Sequence, residues 1–360
     1  MTMECPVDAP LLHQLATLKE LRPAQSAAAP GSVRLDIDLD ESGTQSGFVR
    51  FPHSPDDDAW GAVMVPIVSI KGTDGPVVLA EAGNHGDEYE GALTLTELAR
   101  SIDPAQLHGQ LILLPAINAP AARAGKRCSP VDGLNFNRCF PGAHRGSISQ
   151  QIAAFVNDVL LPRADVFLDL HSGGSSLEIM VSNTVEVAAD PRQTEANLTG
   201  ARAFGASHAV FVNNLGEPRT ATAAASAQGV LTIGTEMMGG GFVDPHALQV
   251  CKTGVRNVLV HLGMLEGAQQ ALADPTVLSV ARPDAYHLTT MDGIFERCVP
   301  LGAEVESGAL LGRVHDRFAP LEEPLEIRAA FDGTVYALRH PALVSHGNCC
   351  VVLAEPGQPG

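Results

Sequence analysis

What most constrains this chain is a rhythm of strand-length apolar runs set between longer helical patterns. AVMVPIVSI (62–70) and PVVLAEAG (76–83) precede a helical pattern over about 88–101, and QLILLPAIN (110–118) follows it. A second helical pattern over about 147–160 leads to DVFLDLHSG (165–173), and a third over about 192–204 leads to VLTIGTEMMGGG (230–241). A last helix ends near Gly267. Runs that are apolar almost without alternation bury both faces, and the helices between them supply the cover. The expected fold is α/β, a mostly parallel twisted sheet with helices on both faces. Ligands of such sheets gather at the carboxyl ends of the strands.

The same pattern divides the chain. Residues 1–44 read as an N-terminal arm, because a short helical pattern is followed by the small-residue linker AQSAAAPGS (24–32). Residues 45–275 hold the alternating body. Residues 283–356 carry no helix-length pattern but many short strands broken by glycines, as in GIFERCVPLGAEVESGALLGRV and AAFDGTVYALRHPALVSHGNCCVVL. They predict a separate, smaller all-β domain similar to the barrel-sandwich folds of biotinyl and lipoyl carriers. A carrier needs a lysine at its exposed turn, and the matching Phe331-Asp332-Gly333-Thr334 has none.

Charge and cysteine usage narrow the setting. With 45% hydrophobic residues over 360 positions, the chain buries a sizeable core. Lys plus Arg number 23 against 41 Asp plus Glu, and the resulting −18 repels phosphate backbones and anionic membrane surfaces. Neither nucleic acid nor membrane is an expected partner, and no run approaches the roughly 20 apolar residues that span a bilayer. The seven cysteines are scattered and contain no C-x-x-C pair, which argues against a disulfide framework and against a thiolate zinc site. Glu4 and Asp8 stand where a secretory signal needs basic residues. The expected location is cytoplasmic.

Chemistry concentrates where the strand-like runs end. AGNHGDEYEG (82–91) places His85 and Glu88 just past an apolar run, an H-x-x-E unit able to aim an imidazole nitrogen and a carboxylate oxygen at one point. DVFLDLHSGG ends with His171 in the equivalent location. Together the three make the two-histidine, one-glutamate set of a catalytic zinc with an open position. The plainer alternative is two solvent-facing turn residues and one satisfied strand-end histidine. Glu236 lies beyond another apolar strand, ahead of Gly239-Gly240-Gly241, where desolvation near a cation tunes a carboxylate as general base and then acid. A solvated strand-end glutamate is its ordinary reading. In GLNFNRCFPG (133–142), Arg138 offers a fork for a substrate carboxylate, with Arg127 and Lys126 adding positive charge upstream. A surface arginine in a loop is the alternative.

In order, GNHGDEYEG, NFNRCFPG, DLHSGG and GTEMMGGG, followed by a β region, resemble the succinylglutamate desuccinylase and aspartoacylase family of the zinc carboxypeptidase superfamily. The resemblance spans about residues 45–355. It implies that His85, Glu88 and His171 bind Zn2+, that Asn137 and Arg138 hold the substrate carboxylate, and that Glu236 is the catalytic base. Arg127 is a looser match to the arginine that helps polarise the scissile carbonyl. Residues 45–275 would be a zinc-dependent acylase domain, and 283–356 would cap its active site. The run SGFVRFPHSPDDDAWGAVMVPIVSIKG is similar to the N-acetyl-diaminobutyrate deacetylases of ectoine breakdown.

The implied activity is hydrolysis of a linear amide, removing an acyl group, acetyl by the narrower resemblance, from a small N-acyl amino acid such as N-acetyl-2,4-diaminobutyrate. Aspartoacylase or succinylglutamate desuccinylase activity on an acidic N-acyl amino acid is the alternative. A zinc carboxypeptidase is another, opposed by a β domain expected to narrow the entrance and by the presence of only three tyrosines, Tyr89, Tyr286 and Tyr336. A metal- or sugar-binding module without catalysis is a third, opposed by Glu236 standing with all three ligands. The expected partner is the small-molecule substrate; a homo-oligomer is compatible with the sequence. One departure stands out. Many relatives carry aspartate two positions before the Asn-Arg pair, where it orients the first zinc histidine, and here that position is Asn135. An amide still accepts a hydrogen bond from His85 but brings no charge, and Asp169, on the side of its strand that carries His171, is placed to supply some of it.

Overall fold

The computed structural model describes residues 10–22, 32–212, 217–267 and 274–357. Helix α1 (Pro10–Lys19) precedes β1 (Arg34–Leu35), β2 (Gly43–Pro52), β3 (Ala62–Lys71), β4 (Thr73–Ala82) and α2 (Glu90–Ser101). Then come β5 (His108–Leu114), α3 (Ala119–Ala124), α4 (Ile148–Phe155), β6 (Val166–His171), β7 (Leu177–Val185) and α5 (Pro191–Phe204). Next are β8 (His208–Val212), α6 (Ala221–Ala227), β9 (Leu231–Gly239) and α7 (Pro245–His261). The remaining strands are β10 (Thr276–Val280), β11 (Tyr286–Leu288), β12 (Gly293–Arg297), β13 (Glu304–Val305) and β14 (Leu310–His315). β15 (Leu325–Arg328), β16 (Gly333–Arg339), β17 (Leu343–Val344) and β18 (Cys349–Pro356) complete the order. The helices start where side chains satisfy their free N–H groups: Asp190 and Asp244 cap α5 and α7 with proline next in line, and Thr220 caps α6.

The central strands are covered on both faces, as their composition requires. Val78, Ala80 and Ala82 of β4, with Leu111, Leu113, Leu168 and Leu170, join one core under α1, α2, α5 and α7. The alternate residues Leu79, Ile112 and Phe167 join a second core under α3, α4 and α6. The sheet itself is mixed rather than mostly parallel. β4 pairs in parallel with β5 and β6, β6 with β9, and β8 with both β7 and β10. Antiparallel pairs flank this centre. β2 and β3 form a hairpin from Gly43↔Lys71 to Pro52↔Ala62, and β7 returns beside β9 after a short turn. An apolar run shows that a strand is buried but not which way it points, so the direction of β3 was illegible.

Two further expectations change. The helix α1 is core rather than arm: Leu11, Leu15 and Leu18 are buried, and the helix packs on α5. The linker at 24–32 lies almost wholly outside the described residues. The C-terminal strands are also not separate. β10, in the gap between the expected domains, pairs with both β8 and β18, and β16 pairs with β7 through Ala337↔Ile179. β11, β13, β16 and β18 thereby extend the main sheet, while β15-β14-β12-β17 form a second sheet that shares a core with them. Two sheets packed face to face keep the sandwich character of the region.

Candidate metal and catalytic site

The parallel strands β4, β6 and β9 end on the same side of the sheet, and their carboxyl ends carry the chemistry. After Ala82 the chain turns at Gly83, whose φ of +67° suits glycine. Gly86 then lies against the Ala121 backbone so closely that a side chain would strike it, and its N–H donates to the Lys126 carbonyl at 2.9 Å. This clamp fixes His85 and Glu88 ahead of α2. His171 is the last residue of β6, in register with Glu236 of β9.

His85, Glu88 and His171 offer donor atoms that all lie within 4.8 Å of one another. Glu88 Oε1 is 2.7 Å from His85 Nδ1, and Glu88 Oε2 is 2.8 Å from His171 Nδ1. Behind His85, Asn135 Oδ1 stands 3.0 Å from Nε2. That contact sets the tautomer with the proton on Nε2, which turns the Nδ1 lone pair toward the Glu88 carboxylate. A lone pair facing a carboxylate at this distance is repulsive unless a proton or a cation sits between them. Arg127 sharpens the point, since its guanidinium is 3.3 Å from the same Nδ1. One nitrogen cannot accept from Arg127 and donate to Glu88 in the same tautomer, whereas a metal ion satisfies all three donor atoms. Two imidazole nitrogens and one carboxylate, each imidazole held from behind, fit zinc with a position left open.

Asp169 serves His171 rather than His85. Its Oδ1 comes within 3.0 Å of His171 Nε2 but off the axis a hydrogen bond needs, and it has no other hydrogen-bond partner. We read the contact as electrostatic for that reason. Burial disfavours charge on His171, yet Asp169 and Glu88 together raise its pKa well above the usual histidine value. His85 moves the other way, lowered mainly by burial. Burial works against ionised Glu88 too, but the two histidines hold its carboxyl well below the ordinary range. Glu81, adjacent to Asp169 across the β4–β6 pair, is fully buried, and burial and Asp169 push its carboxyl far up. Asn135→Ala removes the acceptor behind His85, and zinc affinity measured by chelator competition is expected to fall about 10- to 100-fold, while Asn135→Asp retains it.

The structure brings every expected site residue to one cavity of about 350 Å³. Glu236 lines it with Oε2 buried and free of any hydrogen bond, and burial, then Glu88, push its carboxyl up to about 8. Asn137 Oδ1 accepts from the Ala221 N–H at 2.9 Å, which leaves its Nδ2 end facing the cavity as a donor, 3.4 Å from His171 Nε2. Arg138 reaches the cavity from the same short turn, one guanidinium nitrogen donating to the Asn137 carbonyl. Arg127 stands beside the three candidate ligands, 3.5 Å from Glu88 Oε1.

Several lining residues escaped sequence reasoning. Glu186, just past β7, and Thr222, in the first turn of α6, face the cavity, as do Tyr286, Tyr336, Ala337 and Val352 from the C-terminal strands. None sits in a motif: β7 leads to Glu186, β16 carries Tyr336 and Ala337, and α6, β11 and β18 bring Thr222, Tyr286 and Val352. Two of the three tyrosines thus line the site, so the scarcity of tyrosine says nothing against a peptidase.

Comparison with known proteins gives a consistent result. Residues 74–262 match the family described as the succinylglutamate desuccinylase/aspartoacylase catalytic domain. Over 336 residues, 93% of this chain and 97% of the relative, the sequence is 40% identical to the N-alpha-acetyl-L-2,4-diaminobutyric acid deacetylase of Halomonas elongata. The structure resembles a succinylglutamate desuccinylase/aspartoacylase from Rhodobacter sphaeroides, with a TM-score of 0.85 and 37% identity over 91% of this chain and 100% of that one. It also resembles the product-bound ectoine utilization protein EutE (DoeB) from Ruegeria pomeroyi, with a TM-score of 0.87 and 37% identity over 90% and 99%.

Proposed function

The chain belongs to the succinylglutamate desuccinylase/aspartoacylase family, and from that premise we propose that it is a zinc-dependent deacetylase of N-acetyl-2,4-diaminobutyrate. The observation that carries the hydrolytic part is the convergence of His85, Glu88 and His171 beside an unpartnered Glu236 carboxyl in one cavity. Zinc held by those three residues would supply Lewis acidity to the amide carbonyl and to the attacking water. Glu236 takes the proton of the attacking water and delivers it to the leaving amine. Arg138 and the Asn137 Nδ2 group hold the carboxylate of the amino acid, which fixes the scissile bond and removes much of the entropic barrier. Arg127, beside the ligands, stabilises negative charge as it develops on the carbonyl oxygen.

The choice of substrate rests on the named relative in Halomonas elongata and on the charges of the cavity. Its lining cations among the described residues are Arg127 and Arg138. Arg138 serves one carboxylate and Arg127 is engaged at the ligands, so a second carboxylate, as in N-acetylaspartate or N-succinylglutamate, lacks a partner. A volume of about 350 Å³ suits a small ligand and disfavours a peptide. The six cysteines among the described residues are all free, which supports a reducing, cytoplasmic setting. No helix of the described residues is long and apolar enough to cross a membrane.

Side-by-side kinetics test the assignment. We expect kcat/KM for N-acetyl-2,4-diaminobutyrate to exceed that for N-acetylaspartate or N-succinylglutamate at least about tenfold, ~1.4 kcal/mol of transition-state binding. A preference for either of these more acidic substrates overturns the assignment and leaves amide hydrolysis standing.

A further inference from the structure

We infer that Glu186 is the acceptor for the free side-chain ammonium of the substrate and so the residue that selects an amine-bearing N-acyl amino acid. This rests on the substrate reading above and adds a residue to it. Four carboxylates line the cavity: Glu88, Asp169, Glu186 and Glu236. Glu88 has both oxygens engaged by the two histidines, and Oε2 also accepts from the Ser172 N–H at 3.2 Å. Asp169 is 1% exposed and spent on His171, and Glu236 is reserved for proton transfer. Glu186 alone has no part in the hydrolytic centre.

Its surroundings hold it ready for a cation. The Thr222 hydroxyl donates to Oε2 at 3.0 Å, and the Glu186 backbone carbonyl accepts from Asn197 Nδ2 at 3.0 Å. Thr222 follows Ala221, whose N–H grips Asn137, so the first turn of α6 holds one residue from each end of the substrate site. Among the described residues no Lys, Arg or His pairs with Glu186 within 4.0 Å, although carboxylates elsewhere on the chain, such as Asp190, Glu217 and Glu178, each have an arginine partner. A half-buried carboxylate without a counter-ion is unfavourable, and burial indeed pushes its carboxyl up. An ammonium group entering the cavity supplies the missing charge, with the hydrogen bond from Thr222 keeping the acceptor oriented. The α-carboxylate and the side-chain amine of diaminobutyrate are then read by groups of opposite sign, Arg138 and Glu186.

The test compares N-acetyl-2,4-diaminobutyrate with N-acetylnorvaline, which carries a methyl group where the amine stands. The parent is expected to favour the amine at least about tenfold in kcat/KM, and Glu186→Gln to reduce that ratio about tenfold or more, mainly through KM. Glu186→Asp, which keeps the charge, should retain most of the preference. A parent that shows no preference overturns the substrate reading itself. A parent preference that survives Glu186→Gln, activity on both substrates falling in parallel, or a Glu186→Asp variant as unselective as the glutamine variant each overturn the role of Glu186 alone.

Discussion

His171→Ala is expected to strip the protein of stoichiometric zinc and to lower kcat/KM by ~10³ or more, the scale of removing one member of a catalytic unit. The size of the effect follows from the geometry. Two donors remain, His85 Nδ1 and one Glu88 oxygen, and a pair of neighbouring ligands from one turn binds a metal poorly. Glu88 also loses the imidazole 2.8 Å from Oε2, and that buried oxygen is left with the Ser172 N–H. The fold should survive, because the His171 backbone keeps its bond to Thr235 Oγ1 at 3.0 Å and β6 keeps both neighbours. Metal analysis of the purified variant reads the outcome. A second readout is thermal: added zinc should raise the Tm of the metal-free parent and not that of the variant. Full zinc occupancy in His171→Ala would show that the ligand set lies elsewhere.

How much of this was legible in sequence depends on how local each feature is. His85, Glu88, His171 and Glu236 announce themselves because each follows an apolar run whose end is visible, and the strands β4, β6 and β9 stop where those runs stop. Asn135 and Arg138 are similarly local, held in one short turn beside the cavity. Glu186 and Tyr286 are not, since what brings them to the site is the path of β7 and the C-terminal strands across the sheet. Hydrophobicity marks those segments as strands without fixing their order or direction. The leucines of α1 show the opposite error: their helical spacing was visible, but the small-residue linker behind them suggested an arm, and only packing on α5 shows that the face is buried. The charge expected to compensate Asn135 is present in Asp169, yet it acts on the other histidine, a distinction of side-chain direction that spacing does not carry.

Glu236→Gln separates proton transfer from metal binding and from substrate binding. The carboxyl is not among the donor atoms that converge between His85 and His171, so the variant should retain zinc, and it should keep KM within about tenfold of the parent. Glutamine matches glutamate in shape, so the cavity wall is preserved, but an amide has no proton-accepting oxygen of useful basicity. The loss should appear in kcat, by ~10² or more. The pH profile carries an independent check. Burial and Glu88 push the Glu236 carboxyl up to about 8 in the metal-free site, and zinc held by the three ligands would favour the ionised form and bring that value down. A base works only when deprotonated, so activity of the zinc-loaded parent should fall as pH drops through a midpoint below 8. The residual activity of Glu236→Gln should lack that midpoint. A variant with near-parent kcat, or one that keeps the parent's acid-side fall, would remove Glu236 from the proton path and leave the unpartnered carboxyl without a role in turnover.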